Sequence, residues 1–205
     1  MILFVCEGNV CRSALAEAVL RASLAPQLGI TTGSAGTRAL EGESADNLTA
    51  QVAAAHGISL AGHKARQLTP ELLAGADMVI TATRQIRSAA VQTYPPSVKY
   101  SFTLRQLERI LRATESRFDS GGLTGAALVA SLARSVNQEK SRLVAPQGND
   151  DDIADPRGRS ARIHEQVAEQ VVSAVRELAT ALGGEQVAWA PVRGQRWDIP
   201  GTAAG

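Results

Sequence analysis

Both cysteines of this 205-residue chain fall in one eight-residue stretch, Cys6-Glu7-Gly8-Asn9-Val10-Cys11-Arg12-Ser13. These residue types suit a particular chemistry. A turn that joins a buried strand to a helix presents consecutive backbone N–H groups, and with the positive helix end these form a concave anion site. Gly8 is expected to supply backbone angles that other residues resist. Arg12 can return to the same concavity and hold two oxygens of a tetrahedral oxyanion in its planar fork. The potential that attracts such an anion also favours a thiolate over a thiol at Cys6. A thiolate attacking phosphorus would form a phosphocysteine, dividing ester hydrolysis into two easier steps. Ser13 can donate its hydroxyl to the thiolate, and Asn9 can hold the loop open through side-chain hydrogen bonds. Glu7, Gly8, Asn9, Val10, Cys11 and Ser13 together are expected to surround the bound oxyanion.

The elements that must position this loop are legible on either side of it. Ile2 to Val5 is a continuous apolar run of strand length, as in a parallel sheet covered on both faces. Leu15, Val19, Leu20 and Leu24 then recur at helical spacing until Pro26 and Gly29 stop the pattern. A second unit pairs a strand at Ile30 to Ser34 with a helix for which Asp46 is placed as N-cap. Thr69-Pro70-Glu71 starts a short helix, and Met78 to Thr81 supplies a third strand. Helices are expected over Ala82 to Val91 and Thr103 to Arg112, with a strand near Val98 to Phe102 between them. The pattern predicts a single-domain α/β fold with a parallel, mostly four-stranded sheet flanked by helices.

From about 113 to 152 the chain reads as an insertion, a helix over Leu123 to Val136 with mobile loops. Its end, Asp150-Asp151-Asp152, reads as a solvated acidic loop. Ser160 to Leu182 is a strong terminal helix, apolar at Ile163, Val167, Val171, Val175 and Leu178. The folded domain is thus expected over 1–182 and a flexible tail over 183–205. In that tail Trp189, Arg193, Arg196 and Trp197 form either a docking segment or an uncommitted stretch.

Composition narrows the classes of partner. With 21 Lys and Arg against 20 Asp and Glu, no overall field favours nucleic acid or an anionic membrane. The opening apolar run is too short for a signal peptide, and nothing later reaches a membrane span, so a cytoplasmic protein is expected. His56, His63 and His164 lack compact ligand spacing with the cysteines, so neither a metal site nor a cofactor is expected. His56 and His164 read as surface or packing residues.

The stretch "VCEGNVCRS" resembles the active-site loop of the low-molecular-weight protein tyrosine phosphatase family: Cys, any, Gly, Asn, any, Cys, Arg, Ser. The likeness continues through "SAGT" at 34–37, "HGISLAGHKARQLT" at 56–69 and "DIADP" at 152–156. It implies that Cys6 is the nucleophile, Arg12 the phosphate clamp, and Asn9 and Ser13 the loop organisers, with Ser34 and His63 anchoring Asn9. It also implies that Asp155 is the general acid. Chemistry asks for such a group, because an ester leaving group departs poorly as a bare oxyanion; a plain Asp-Pro turn is the alternative. In this family a second loop cysteine can form a reversible disulfide with the nucleophile, which gives Cys11 a redox role or leaves it a small packed residue.

The chain departs from the family pattern where Ala14 replaces a Pro, where Arg157 follows Asp-Pro in place of an aromatic residue, and at "TATRQIR", 81–87. The resemblance implies hydrolysis of phosphomonoesters, with a phosphotyrosine protein or a small phosphoester as partner and phosphate or a similar oxyanion in the loop. Two other readings fit the same cradle: an arsenate reductase using an external low-molecular-weight thiol, and a non-catalytic oxyanion-binding regulatory module.

Overall fold

A computed structural model describes residues 1–114, 120–140, 142, 148 and 150–189. Four parallel strands, β1 (Ile2–Cys6), β2 (Thr32–Gly36), β3 (Met78–Thr81) and β4 (Ser101–Thr103), lie in the order β2-β1-β3-β4. The central strand β1 is buried along its whole length, which is why its sequence runs apolar without alternation. Successive side chains still point to opposite faces. Ile2 and Phe4 join a core with Met78, Ile80 and Phe102, whereas Leu3 and Val5 join one with Val79, Leu73 and Ile86.

The first face is covered by α1 (Arg12–Ser23), α2 (Asn47–Ala54), α5 (Leu104–Thr114), α6 (Gly125–Lys140) and α7 (Ala161–Ala181). The second is covered by α3 (Pro70–Ala74) and α4 (Arg84–Thr93). In α7, Val167, Val171, Val175 and Leu178 are buried at helical spacing, and each full burial of such a side chain contributes about 1.5–3 kcal/mol. Asp46, Thr69 and Thr83 cap α2, α3 and α4, each accepting a backbone N–H three residues on.

Two strands lie further along the chain than the pattern predicts. β2 begins at Thr32 because its register is set against β1, Ile2 opposite Thr32 and Cys6 opposite Gly36. Its buried residues are Gly, Ser and Ala, a composition with no apolar signal. β4 begins at Ser101 because Pro95–Lys99 wind into a 3₁₀ turn. The helix expected inside an insertion is α6, and it packs Leu128, Val129, Leu132, Ala133 and Val136 into the main core. Glu185 donates its amide to the Ser23 carbonyl, and Trp189 stacks on His56 with ring centres 3.7 Å apart. Arg193, Arg196 and Trp197 lie outside the described residues. Among the described residues no helix is long and apolar enough to cross a membrane.

Candidate active site

The loop between β1 and α1 is built by turning its carbonyls outward. The carbonyls of Cys6, Glu7, Gly8 and Val10 accept the amides of Thr37, Arg38, Leu40 and Asp46. That of Asn9 accepts Nε2–H of His63 at 2.6 Å, and that of Cys11 accepts the Leu15 amide. All six are thereby satisfied from outside the loop. The amides of Glu7, Gly8, Val10, Cys11 and Arg12 donate to no protein group among the described residues, so they remain available to an anion in the concavity.

Asn9, not Gly8, takes the left-handed conformation that closes this turn, with φ of 58°. Asparagine tolerates that region because its short polar side chain bonds locally. Here Nδ2 donates to Ser13 Oγ and Ser34 Oγ, both at 2.9 Å, and Oδ1 accepts the Arg66 amide. Ser34 Oγ in turn donates to Glu17 Oε2 at 2.6 Å. Since Ser13 Oγ already accepts from Asn9, its proton is free for Cys6 Sγ at 2.9 Å, and the Asn9 amide reaches the same sulfur at 3.2 Å. A chain of bonds thus runs from Glu17 to the sulfur of Cys6. Nothing in the local sequence marks Arg66 as part of this network. Glu17 had one signal, its place four residues after Ser13 on the same helix face. The close approach that shapes the loop's other side is at Gly36, where a Cβ would stand 2.4 Å from the Glu7 carbonyl oxygen.

Arg12 is 4% exposed. Its Nη1 donates to the Ile153 carbonyl at 3.0 Å, its Nη2 stands 2.8 Å from Asp155 Oδ2, and its buried Nε has no partner among the described residues. The sequence-predicted acid and clamp therefore meet. The loop that brings Asp155 there is tied down on both sides. Ile153 donates its amide to Ala82, and Asp152 accepts from the backbone and side chain of Arg84. Asp151, buried, pairs with Arg109 of α5. Asp151 and Asp152 are thus anchored in a strap, where a solvated loop is expected, and Asp150 alone of the run is exposed. The charges of Asp151 and Asp152 are matched by arginines far away in sequence, which local composition cannot reveal.

The remaining site residues lie around this centre. Val10 and Cys11 pack with Ala65 against Leu40, while Glu7 is exposed and pairs with Arg38 at 3.3 Å. Cys6 and Cys11 are both free thiols. Burial pushes the Cys11 thiol up to about 12, a hydrogen bond from Thr49 opposes this, and Asp46 adds to it. Thr49 Oγ1 also lies 3.0 Å from Nδ1 of His164, which is 3.6 Å from Asp46 Oδ1. His164 is buried, and among the described residues its Nε2 makes no well-formed hydrogen bond, the Pro156 carbonyl being its nearest acceptor. Burial lowers its pKa below the ordinary histidine value, against Asp46, the Pro156 carbonyl and Asp155, which favour the proton. It is a polar link between α7 and α2, more than the surface or packing residue expected.

Arg12 and Asp155 open onto a cleft of about 490 Å³, lined also by Glu7, Arg38, Ile86, Ala89 and Ala154, and by no aromatic residue among those described.

A profile of the family described as low molecular weight phosphotyrosine protein phosphatase matches residues 1–113. The chain belongs to this family. It is a phosphatase of that kind, and its relatives carry the same description. The probable low molecular weight protein-tyrosine-phosphatase EpsP of Ralstonia nicotianae is 38% identical over 108 residues, 53% of this chain and 72% of the relative. The low molecular weight protein-tyrosine-phosphatase Wzb of Salmonella typhi is 35% identical over 154 residues, 72% of this chain and 96% of the relative. Among solved structures, the YwlE arginine phosphatase from Geobacillus stearothermophilus superimposes with a TM-score of 0.62 at 28% identity, covering 89% of this chain and 92% of that one.

Proposed function

We propose that this low molecular weight phosphatase hydrolyses protein phosphotyrosine through a phosphocysteine on Cys6. The observation that carries this reading is the loop whose carbonyls all turn outward, with Cys6 Sγ at its start and the unpartnered Nε of Arg12 at its end. A buried donor without a partner is costly, and a phosphoryl oxygen would satisfy it. The loop amides and Arg12 hold the non-bridging oxygens, and they are aimed where charge gathers in the transition state. The Cys6 thiolate, sharing the Ser13 proton and the Asn9 amide, attacks phosphorus and forms the P–S bond. The P–O bond to the leaving group breaks as Asp155 delivers its proton to the departing oxygen. Asp155, now a carboxylate, then takes a proton from water. That water attacks phosphorus, the P–S bond breaks, and phosphate and the thiolate are released.

A second reading concerns the leaving group. Among the described residues the cleft has no aromatic side chain to face a phenyl ring, and its three carboxylates, Glu7, Asp152 and Asp155, are each paired with an arginine. The lack of a ring there, together with the likeness to an arginine phosphatase, favours a phosphoarginine side chain. The deciding experiment assays phosphotyrosine, phosphoarginine and phosphoserine peptides, an aryl phosphate, and arsenate with a thiol donor, using the chain and its Cys6→Ser variant. Phosphotyrosine and aryl phosphate turnover, lost in Cys6→Ser, is the expected result. A kcat/KM higher for phosphoarginine would move the assignment to the second reading. Thiol-dependent arsenite release, or phosphate binding without turnover, would overturn both.

A further inference from the structure

We propose that Arg157, Arg159 and Arg162 form a cationic rim on the acid loop that selects phosphorylated protein segments in which acidic residues flank the phosphorylated one. This rests on the reading that the site accepts a phosphoprotein, and it names the chemistry of that protein around the phosphosite.

The three side chains are exposed and fall within six residues of one another, directly after Asp155-Pro156. The Arg157 amide donates to Asp155 Oδ1 at 3.2 Å, and the Arg159 amide to the Pro156 carbonyl at 2.9 Å, so these two are held in the turn that follows the group facing the cleft. Among the described residues none of the three side chains has a hydrogen-bond or ion-pair partner. The other described arginines, Arg134 apart, each hold a carboxylate or a carbonyl; Arg21, Arg66 and Arg176 are examples. The cluster is therefore an exception within this chain, whose net charge is only +1.

Stability of the fold does not account for it. Arg162 lies in the first turn of α7, and Arg157 and Arg159 lie just before that turn, which contains no acidic residue. Cations at the positive end of a helix are unfavourable. What the arrangement does provide is an unmatched positive field beside a cleft that receives a dianionic group. With no ring lining the cleft among the described residues, charge contacts to the flanking residues can supply discrimination that the side-chain pocket lacks.

The number of charges points to a peptide. Duplex nucleic acid is held through some six to ten phosphate contacts along a stripe, and anionic membranes are recognised by clusters of about four to eight basic residues. Three arginines at one point match two or three carboxylates. An extended segment advances about 3.3–3.6 Å per residue, so Asp or Glu within about three positions of the phosphorylated residue lies within reach.

The test compares kcat/KM for a phosphotyrosine peptide with Asp and Glu flanks against the same peptide with Gln and Ser flanks. It uses the chain and its Arg157→Gln/Arg159→Gln/Arg162→Gln variant, at low salt and at 1 M salt. Two or three exposed ion pairs give about a tenfold preference for the acidic peptide at low salt, residing in KM. The ratio should fall to within about twofold in the triple variant, and also at 1 M salt, where the screening length is about 3 Å. An equal kcat/KM for both peptides, or a preference that survives the triple substitution, overturns the proposal. Binding of both peptides to the Cys6→Ser variant separates the rim from the chemistry. Tighter binding of the acidic peptide without turnover in the unaltered chain would sink the phosphotyrosine reading and leave the rim standing. Turnover without flank preference would do the reverse. Phosphatidylserine vesicles that bind the unaltered chain and not the triple variant, with no peptide preference, would overturn the peptide assignment in favour of a lipid surface.

Discussion

Arg12 Nη2 stands 2.8 Å from Asp155 Oδ2, so the guanidinium assigned to the phosphoryl group and the carboxylate assigned to the leaving oxygen hold each other. An incoming phosphate must compete with Asp155 for that nitrogen. The competition is mild, because Asp155 is 42% exposed and solvent screens such a pair.

Asp155→Ala should therefore separate binding from chemistry. Removing the competing carboxylate is expected to tighten inhibition by inorganic phosphate about two- to fivefold. Turnover of alkyl phosphates should fall by about 10²–10⁴, the usual contribution of a general acid, with a smaller loss for p-nitrophenyl phosphate. Inhibition constants and a leaving-group series measure the two effects. An equal loss across the series would remove Asp155 from the acid role.

Asn9 combines a left-handed backbone with three side-chain hydrogen bonds, and two substitutions divide these contributions. Asn9→Gly keeps the conformation and loses the bonds, while Asn9→Ala adds about 1–2 kcal/mol of backbone strain. Each buried group left unpaired costs about 1–3 kcal/mol. Thermal melts should rank unaltered chain above Asn9→Gly above Asn9→Ala, with about 2–4 °C per kcal/mol for a chain of this size. Both variants should lose aryl phosphatase activity. A variant of either kind that melts lower yet keeps full activity would show that Asn9 does not shape the cradle.

The buried strap charge makes a further prediction. Arg109→Met leaves Asp151 buried without its partner. Because Arg109 is itself a third exposed, the cost should be about 2 kcal/mol, below the range for fully buried pairs. Adding Asp151→Leu should recover most of it. Denaturant unfolding of the single and double variants checks this; a double variant no more stable than Arg109→Met would rule out an uncompensated charge as the cause.

His164 sets a pH dependence of stability. Its folded pKa is lowered by burial, so the unfolded ring takes up a proton more readily. The stabilisation is complete above the unfolded value near 6.5 and is lost as pH falls from there toward the lowered folded value, at no more than about 1.4 kcal/mol per pH unit. His56 is also lowered, by partial burial and by Arg176, and contributes with the same sign. Between pH 7 and 5, melting temperature should fall less steeply in His164→Phe than in the unaltered chain. Parallel curves would mean that His164 does not titrate in this window.

Much of the loop was legible before any coordinates because its signals are local. A buried run ending in Cys6, a helical period from Leu15, and the types of residue between them all act over a few positions. Capping by Asp46, Thr69 and Thr83 was readable for the same reason at Asp46 and Thr69, since a cap bonds within three residues. Asn9 was placed as the loop's organiser, yet the positive φ expected of Gly8 belongs to Asn9. Residue type bounds the backbone angles that are affordable and does not select which residue adopts them.

The sequence by itself determined the alternation of strands and helices, the loop that joins the first pair, and the residues that make up that loop, because all three follow from the periodicity and steric character of neighbouring residues. Only the tertiary structure decided what the loop's carbonyls bond to, that Asp155 reaches Arg12, that the acidic run is strapped by Arg84 and Arg109, and that His164 is buried beside Thr49 and Asp46. Apart from the local bond of Leu15 to Cys11, those contacts join residues 31 to 143 positions apart in the chain, and their partners are chosen by how the sheet and α7 pack, which no window of sequence contains.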